Sequence, residues 1–431
     1  MIQLPKSFHG SIPHQTLTKL GFELASRSAT FLLGILIARV LGEAGFGFYA
    51  YGVAVGFVVS QVADLGLSVL AARQVATLGR AATPYLAHAF RLKTLLSLPV
   101  VALLVIAAAG QPPMVALGVV ALGMSILLQT FLEFEASIYR GQRAILREAK
   151  MIAASRLLVA GFGATAILLG GGILALGLST LLASGLTVLW WTRTLRQEGW
   201  LMHLHRASSP GMGLSQLFKE AFPLGASSLL SIAFTRSALV LIHYLKGPME
   251  VAWFSAAQRL VEPTQLLPAA LLSGVFPLYV TRSKSAPQAA RALGLKSLAV
   301  LTGLGAAASI LLWLTAPWLA PGLYGTSFQA SVPVVRILSL SIGPAFINYA
   351  LIHFLIAHGR QASVAAFMAA MLLVHLLMSW YWIPRLDISG AALSMLLAEI
   401  LLLVCCLIAH QRHAPLPDEW ARRSTTAALD D

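Results

Sequence analysis

The sequence predicts an all-α, polytopic membrane protein with about 12 transmembrane helices in two pseudo-symmetric six-helix bundles that face a central cavity. Three observations support this prediction. Hydrophobic residues make up 58% of the chain and charged residues only 11%, whereas about a quarter of a typical soluble protein is charged. Long apolar stretches recur, and the connections between them alternate between basic and nearly uncharged. Most of the surface must therefore face lipid.

Twelve apolar segments are long enough to cross a bilayer, whose hydrocarbon core of about 30 Å needs about 20 residues of helix. Their predicted bounds are 17–41, 46–72, 92–110, 114–138, 149–169, 172–192, 221–245, 251–280, 293–316, 332–357, 361–383 and 386–409. Six fall in each half of the chain. We expect an N-terminal six-helix lobe over residues 1–205 and a C-terminal six-helix lobe with a short cytoplasmic tail over residues 206–431.

Residues 317–331 are expected to lie at the membrane interface rather than to span it. Trp318 and Tyr324 favour the headgroup level, and the prolines of this segment should break a spanning helix.

The distribution of basic residues sets the predicted orientation, because cytoplasmic loops are enriched in Lys and Arg. On one predicted side lie 22 of the 30 basic residues, and on the other 4, namely Arg39, Lys246, Arg336 and Arg385. The 22 are Lys6, Lys19, Arg73, Arg80, Arg91, Lys93, Arg140, Arg143, Arg147, Lys150, Arg193, Arg196, Arg206, Lys219, Arg282, Lys284, Arg291, Lys296, Arg360, Arg412, Arg422 and Arg423. Both termini are therefore expected in the cytoplasm. Because this asymmetry accounts for the net charge of +14, no nucleic acid partner is expected.

One short pattern occurs twice, 205 residues apart. The run Gly42-Glu-Ala-Gly-Phe-Gly47-Phe-Tyr49-Ala50 recurs as Gly247-Pro-Met-Glu-Val-Ala-Trp-Phe-Ser255. Each copy ends one apolar helix and begins the next. Small residues let helix ends approach closely, and aromatic pairs favour the membrane interface. We therefore interpret Gly42, Gly47, Tyr49 and Gly247 as parts of one structural corner.

Four arginines fall inside predicted helices, where a charged side chain is costly and normally faces the bundle interior or water. Arg236 lies midway along helix seven, so it either lines a water-filled cavity or makes a structural ion pair. Arg27 follows Glu23 by four residues, which places the two on one helix face, where they can pair.

The other two arginines leave similar alternatives. Arg156 either extends toward the cytoplasmic interface or points inward. Arg259 and Glu262 can pair at i and i+3, and Pro263 bends or breaks the helix beside them. All four arginines are candidates to bind an anionic substrate, because a guanidinium group donates paired hydrogen bonds to a diphosphate.

Three acids, Asp64, Glu262 and Glu399, are candidates for ion coupling, since carboxyl groups inside membranes often belong to ion pathways. Asp64 has an alternative role as the partner of an arginine or in a helix-packing hydrogen bond. Glu133 and Glu135 are expected at the cytoplasmic rim. His353 and His375 are expected to be hydrogen-bonded core residues.

No catalytic or metal site is predicted. The two cysteines, Cys405 and Cys406, are adjacent, so they lack metal-ligand spacing and are poorly placed to bridge other parts of the chain. No cofactor is expected. Transport is a candidate for coupling to H⁺ or Na⁺.

The sequence Ala38-Arg-Val-Leu-Gly-x3-Phe-Gly-x-Tyr49, followed by Ala63-Asp-Leu-Gly-Leu67 and Arg73, carries a family resemblance. It resembles the opening of polysaccharide-unit flippases in the multidrug/oligosaccharidyl-lipid/polysaccharide (MOP) exporter superfamily. The resemblance implies a transporter, not an enzyme, in the bacterial cytoplasmic membrane. Such a transporter moves undecaprenyl-diphosphate-linked oligosaccharide units to the periplasmic leaflet by alternating access. Membrane lipids and other polysaccharide-assembly membrane proteins are further expected partners.

Three other functions compete with this interpretation. A drug-cation exporter of the same superfamily should present acids rather than arginines to its cavity. A membrane-embedded glycosyl polymerase or ligase on the same lipid carrier would generally need a large periplasmic loop, and the predicted outer loops are short. A channel or scaffold is disfavoured by the scattered single charges.

The asymmetry of 22 to 4 basic residues predicts the outcome of reporter fusions. Fusions after residues 80, 145, 205, 285 and 415 should report a cytoplasmic location, and fusions near residues 111, 171 and 248 a periplasmic one. A periplasmic signal at residue 205 would contradict the division into two six-helix halves.

Overall fold

The computed structural model describes residues 12–201 and 214–413, and all regular structure in these ranges is helical. The predicted lobe boundary at residues 205 and 206 lies outside the described residues, as do Lys6, Arg206, Arg422 and Arg423. The helices are α1 Ile12–Asp64, α2 Leu67–Leu78, α3 Thr83–Ala108, α4 Pro113–Gly141, α5 Ile145–Leu168, α6 Ile173–Gln197, α7 Leu214–Leu245, α8 Pro248–Val261, α9 Leu266–Ser285, α10 Pro287–Tyr324, α11 Ser331–Leu340, α12 Ile342–Ala357 and α13 Gln361–His413.

Ten stretches of the described chain are long and apolar enough to cross a membrane, and two of them are long enough to cross it twice. Thr18–Asp64 has 47 residues and Gln361–His410 has 50. At 1.5 Å per residue, each would extend about 70 Å if straight, more than twice the thickness of the bilayer core. Each contains one residue with a non-helical backbone, Gly42 (φ 67°) in α1 and Asp387 (φ 52°) in α13. The ten stretches therefore supply the twelve predicted spans.

The two copies of the repeated corner pack against each other. Gly47 lies directly against the carbonyl oxygen of Pro248, so a methyl group at position 47 would overlap that oxygen. The indole Nε1 of Trp253 donates a hydrogen bond of 2.8 Å to Glu43 Oε1. Both contacts join residues from one copy of the pattern to residues from the other, and Tyr49 is buried beside them.

Gly47, rather than Gly42 or Gly247, makes the close approach, which corrects the expectation for those two glycines. A Cβ at Gly42 would meet no atom within 4 Å, and one at Gly247 would meet only Glu250 Oε2 at 3.6 Å. Both residues instead have positive φ, 67° and 125°. An L side chain is strained there, so the turn itself requires glycine.

The second predicted span, 46–72, ends earlier than expected, because α1 stops at Asp64. Leu65 and Gly66 both have positive φ, 36° and 88°, and they separate α1 from α2. Gly66 also lies against the backbone of Ala221 and Gly225 in α7, where a Cβ would not fit. The break is therefore a packing contact that hydrophobic periodicity does not reveal.

The helix that contains the third predicted span, 92–110, is α3, and it begins earlier than expected, at Thr83. Its first turn contains Pro84, whose fixed φ and missing N–H suit a helix start. Arg91 and Lys93 were counted with the basic residues of the cytoplasmic side, and both lie inside α3, where Lys93 is fully buried. The predicted start of this helix was wrong, because apolar run length cannot detect a helix that begins among polar residues.

The prolines of residues 317–331 were expected to break the helix, and this expectation is wrong for residues 317–324. Helix α10 continues through Pro317 and Pro321 to Tyr324. Prolines are tolerated in membrane helices when other groups satisfy the freed carbonyls. Tyr324 is 1% exposed and packs with its ring centroid 5.8 Å from that of Phe46, so it does not sit at an exposed interface.

The chain divides into two compact units. Among the described residues, the first unit contains 12–201, 214–259, 317–332 and 379–391, and the second contains 260–316, 333–378 and 392–413. In the core of the first unit, Phe46, Tyr51 and Tyr139 are fully buried. In the core of the second, Tyr279 stacks on Phe354 with ring centroids 4.2 Å apart.

We predict that Gly47→Ala lowers the stability of the protein by about 1–3 kcal/mol, because the added methyl group overlaps the Pro248 carbonyl. Gly42→Ala and Gly247→Ala should each cost about 1–2 kcal/mol from backbone strain at positive φ. Thermal unfolding in detergent measures these effects.

Gly303→Ala in α10 is the matched control, because a Cβ there meets no atom within 4 Å. Its melting temperature should be unchanged or slightly raised. Equal melting of Gly47→Ala and Gly303→Ala would contradict the tight contact between the two corners.

Candidate functional site

Arg259, on α8, lies between the two arms of α1 that Gly42 separates. Its guanidinium carbon is 5.5 Å from the ring centroid of Phe46 and 5.3 Å from that of Tyr49. On the other arm, a Cβ at Gly34 would come within 3.2 Å of the same carbon. Gly34 therefore leaves room for the arginine, and the two rings attract its charge. Gly34 was not among the predicted site residues, since a glycine inside an apolar helix carries no distinctive signal.

Arg236, on α7, is partly buried and sits 5.4 Å from the ring centroid of Phe57 in α1. The side-chain amide Nε2 of Gln258, the residue before Arg259, donates a 2.8 Å hydrogen bond to the carbonyl oxygen of Thr235, the residue before Arg236. This bond holds α7 against α8 where both arginines project. Phe57 and Gln258 were not predicted as site residues.

Arg27 pairs with Glu23 as their spacing predicts, with 2.7 Å between Nη2 and Oε1. The pair is largely exposed. Arg156, on α5, is partly buried and within electrostatic range of Arg27, Glu23 and Glu133. Arg27 and Arg156 therefore belong to one mixed-charge cluster, in which two cations lie near two acids.

The structure thus brings the four predicted arginines, Arg27, Arg156, Arg236 and Arg259, into the same compact unit, on α1, α5, α7 and α8. Two of them lie against aromatic rings, and the other two share a cluster with acids. Arg236 and Arg259, next to the residues of the Gln258–Thr235 hydrogen bond, can each offer a guanidinium group to an anion.

Asp64 is the last residue of α1 and forms a buried ion pair with a lysine, not with an arginine. Lys93 Nζ donates to Asp64 Oδ1 at 2.5 Å, and Ser68 Oγ donates to the same oxygen at 2.5 Å. Lys93 is also 5.4 Å from the ring centroid of Phe131. Asp64 therefore compensates the charge of a fully buried ammonium group, beside the helix break at Leu65.

Glu399, on α13, is held by Asn348 of α12. The Asn348 amide donates to Glu399 Oε2 at 2.7 Å and to the Glu399 carbonyl oxygen at 2.9 Å. Asn348 is 2% exposed, and among the described residues its Oδ1 has no hydrogen-bond partner.

Glu262 is exposed in the 3-10 turn Glu262–Gln265, at the helix break that Pro263 predicts. Asp64 belongs to the first unit, and Glu262 and Glu399 belong to the second.

Among the remaining predicted groups, one expectation fails. Glu135 was expected at the cytoplasmic rim, but it is fully buried and accepts a hydrogen bond from Thr192 Oγ1. Glu133 is exposed and pairs with Arg140 at 2.6 Å.

The two histidines behave as expected. His375 is fully buried and hydrogen-bonded to Ser394 Oγ at 3.0 Å, and His353 Nδ1 bonds the carbonyl of Tyr349 at 2.7 Å. In the described ranges, no group of three or more His, Cys, Asp or Glu residues is arranged to hold a metal ion.

Residues 16–283 match the family model described as "Polysaccharide biosynthesis protein", which covers more than half of the chain. A comparison with curated protein sequences finds no match.

Solved structures share the fold at low sequence identity. An inward-facing multidrug resistance MATE family transporter of the MOP superfamily has a TM-score of 0.73 and 14% identity, with 92% of this chain and 97% of that chain covered. Lipid II flippase MurJ, in an inward closed conformation, has a TM-score of 0.71 and 14% identity, with 91% and 87% covered. A MOP superfamily transporter from Pyrococcus furiosus has a TM-score of 0.63 and 15% identity, with 93% and 94% covered.

The described helices and these shared folds confirm the predicted fold class, a multi-pass all-α membrane protein with twelve spans in two lobes. Together with the family match, they confirm the resemblance seen in residues 38–73. This chain belongs to the polysaccharide biosynthesis protein family.

Proposed function

We propose that this protein flips undecaprenyl-diphosphate-linked oligosaccharide repeat units from the cytoplasmic to the periplasmic leaflet of the bacterial cytoplasmic membrane by alternating access. The observation that carries the proposal is the position of Arg236 and Arg259 inside the apolar helices α7 and α8, each within 5.5 Å of an aromatic ring of α1. Arginines inside a membrane protein are costly unless an anion, water or a partner compensates them. A lipid-linked diphosphate is an anion of the required chemistry.

The aromatic contacts suit Arg236 and Arg259 to this role. A guanidinium group that stacks on a ring uses its face, whereas its N–H donors lie in its plane. Phosphate oxygens can accept from two of these donors at once. The rings of Phe57, Phe46 and Tyr49 lie within 5.5 Å of the two guanidinium carbons and attract their charge.

The comparisons support a lipid-linked cargo without deciding its identity. The family description names polysaccharide biosynthesis, and one protein of similar fold is a lipid II flippase. Another is a multidrug transporter, so the fold is compatible with more than one cargo. The four arginines favour an anion over a drug cation. Membrane lipids and other polysaccharide-assembly membrane proteins are further proposed partners.

For coupling to H⁺ or Na⁺, we propose Glu399 in preference to Asp64 and Glu262. The charge of Asp64 is already balanced by Lys93, at 2.5 Å. Glu262 is exposed in its turn. Glu399 has only the neutral amide of Asn348 as its hydrogen-bond donor on α12, so an ion can still neutralise its charge.

Arg236→Ala should reduce the initial rate of flipping about 10- to 100-fold, because a hydrogen bond to a charged group contributes about 1.5–3 kcal/mol. Arg236→Lys should recover part of the rate, since a point charge lacks the two-pronged contact. The assay uses purified, monodisperse protein in liposomes with the labelled undecaprenyl-diphosphate-linked oligosaccharide.

Arg385→Ala is the matched control, because it also removes an arginine beside an aromatic ring, here Tyr381 at 3.8 Å, but at an exposed position of α13. It should flip at the wild-type rate. Full activity of a well-folded Arg236→Ala would contradict the headgroup role, which would then pass to Arg156 and Arg259.

Glu399→Gln should abolish the stimulation of flipping by an ion gradient while leaving the melting temperature close to that of the wild type. Asp64→Asn should instead lower stability by about 3–5 kcal/mol, because it leaves the Lys93 ammonium buried without its counter-charge. The double variant Asp64→Asn with Lys93→Met should regain much of that stability. A gradient response that survives Glu399→Gln but disappears in a folded Asp64→Asn protein would reverse this assignment.

A further inference from the structure

A small crevice opens in the second compact unit at the turn between α12 and α13. It has a volume of about 230 Å³, and Leu355, Phe367 and Ile408 form apolar walls. Arg360 and Ser363 supply its polar groups. Gly359, with φ 75°, makes the turn that places Arg360 immediately before α13. The crevice thus combines an apolar wall with a cationic group and a hydroxyl.

Further basic groups gather near this turn. His410, near the end of α13, is within electrostatic range of His358 and Arg291, and both of these neighbours are basic. His358 is oriented by a 2.7 Å hydrogen bond between its Nδ1 and the carbonyl of Phe354. Arg360 follows His358 by two residues, so two arginines and two histidines lie close to this turn. The loop charges predict that this turn is cytoplasmic.

The surroundings of the crevice are apolar and open. Val404, Leu407 and Ile408 are each at least 40% exposed on the same stretch of α13. In a membrane protein, such side chains face lipid acyl chains. A ligand that fits here must therefore combine an anionic group, for the basic cluster, with an apolar chain, for the wall.

We propose that this crevice binds an anionic glycerophospholipid of the cytoplasmic leaflet, with its phosphate at Arg360 and Ser363 and the start of one acyl chain against Leu355, Phe367 and Ile408. Basic groups beside a membrane attract anionic lipid at about 1 kcal/mol each. The volume equals about eight waters at 30 Å³ each, which suits a phosphate and the beginning of a chain but not an oligosaccharide. None of these residues belongs to the unit that contains the four arginines.

The chain contains its own probe for this site. Cys405 lines the crevice and is partly exposed, whereas Cys406, the only other cysteine, is buried. In a Cys406→Ala protein, the rate of Cys405 modification by N-ethylmaleimide reports how often the crevice is open. The protein is placed in nanodiscs of phosphatidylglycerol, of phosphatidylcholine, or of phosphatidylcholine with added inorganic phosphate.

Modification should be about fivefold slower in phosphatidylglycerol than in phosphatidylcholine, as expected for one basic group that binds the headgroup. Inorganic phosphate should give no protection, since it lacks the acyl chain. Arg360→Gln should remove the difference between the two lipids. Arg193→Gln, an exposed arginine on α6 in the first unit, is the charge-matched control and should retain it. The surface potential of the nanodisc acts equally on both variants.

Arg291→Gln provides a second test if Arg360→Gln does not fold, and it should reduce the protection by phosphatidylglycerol. Equal rates in the two lipids for the Cys406→Ala protein would overturn the proposal, as would protection that Arg360→Gln and Arg291→Gln both retain. Protection by inorganic phosphate alone would show a simple anion site and would overturn the lipid assignment. Flipping assays are not involved, so this result is independent of the proposed transport function.

Discussion

The contact between Gly47 and the carbonyl oxygen of Pro248 leaves no space for even a methyl group, and much of the first unit depends on it. It brings the first turn of α8 against α1, and the hydrogen bond from Trp253 to Glu43 fixes the same approach. Once α8 is placed there, Arg259 reaches the rings of α1 on one arm and the bare backbone at Gly34 on the other. A close backbone contact therefore decides where a buried charge can go, because only residues without side-chain bulk let the helices meet.

The protein treats its buried charges in two ways. Lys93 is compensated within the first unit by Asp64, whose oxygen also accepts from Ser68. Such a pair protects the fold from the cost of an isolated buried charge. Arg236 and Arg259 lie 5.4 and 5.5 Å from the ring centroids of Phe57 and Phe46, which attract their positive charge. The Lys93–Asp64 ion pair stabilises the fold. The arginines beside aromatic rings are the ones proposed to bind a substrate.

The same fold serves transporters of different cargo, so the side chains carry the functional argument. A carrier for organic cations would be expected to offer acids at its binding site. Here the acids within electrostatic range of Arg156 are Glu23 and Glu133, which already pair with Arg27 and Arg140. The carboxyl group proposed for coupling, Glu399, belongs to the other unit, so the proposed cargo and ion sites involve different residues.

Much of the architecture follows from local sequence. Apolar run length predicts twelve spans, Pro263 predicts the break after α8, the repeat locates the corner, and the spacing of Glu23 and Arg27 predicts their pair. These features depend on residues close together in the chain, whose geometry is that of one helix or one turn. The partner of Asp64, the amide that holds Glu399, and the glycine beside Arg259 were decided only by tertiary structure. Each depends on a contact between helix segments that are distant in sequence. Hydrophobic periodicity predicts which face of a helix is buried, but it does not specify which side chain of another helix that face contacts.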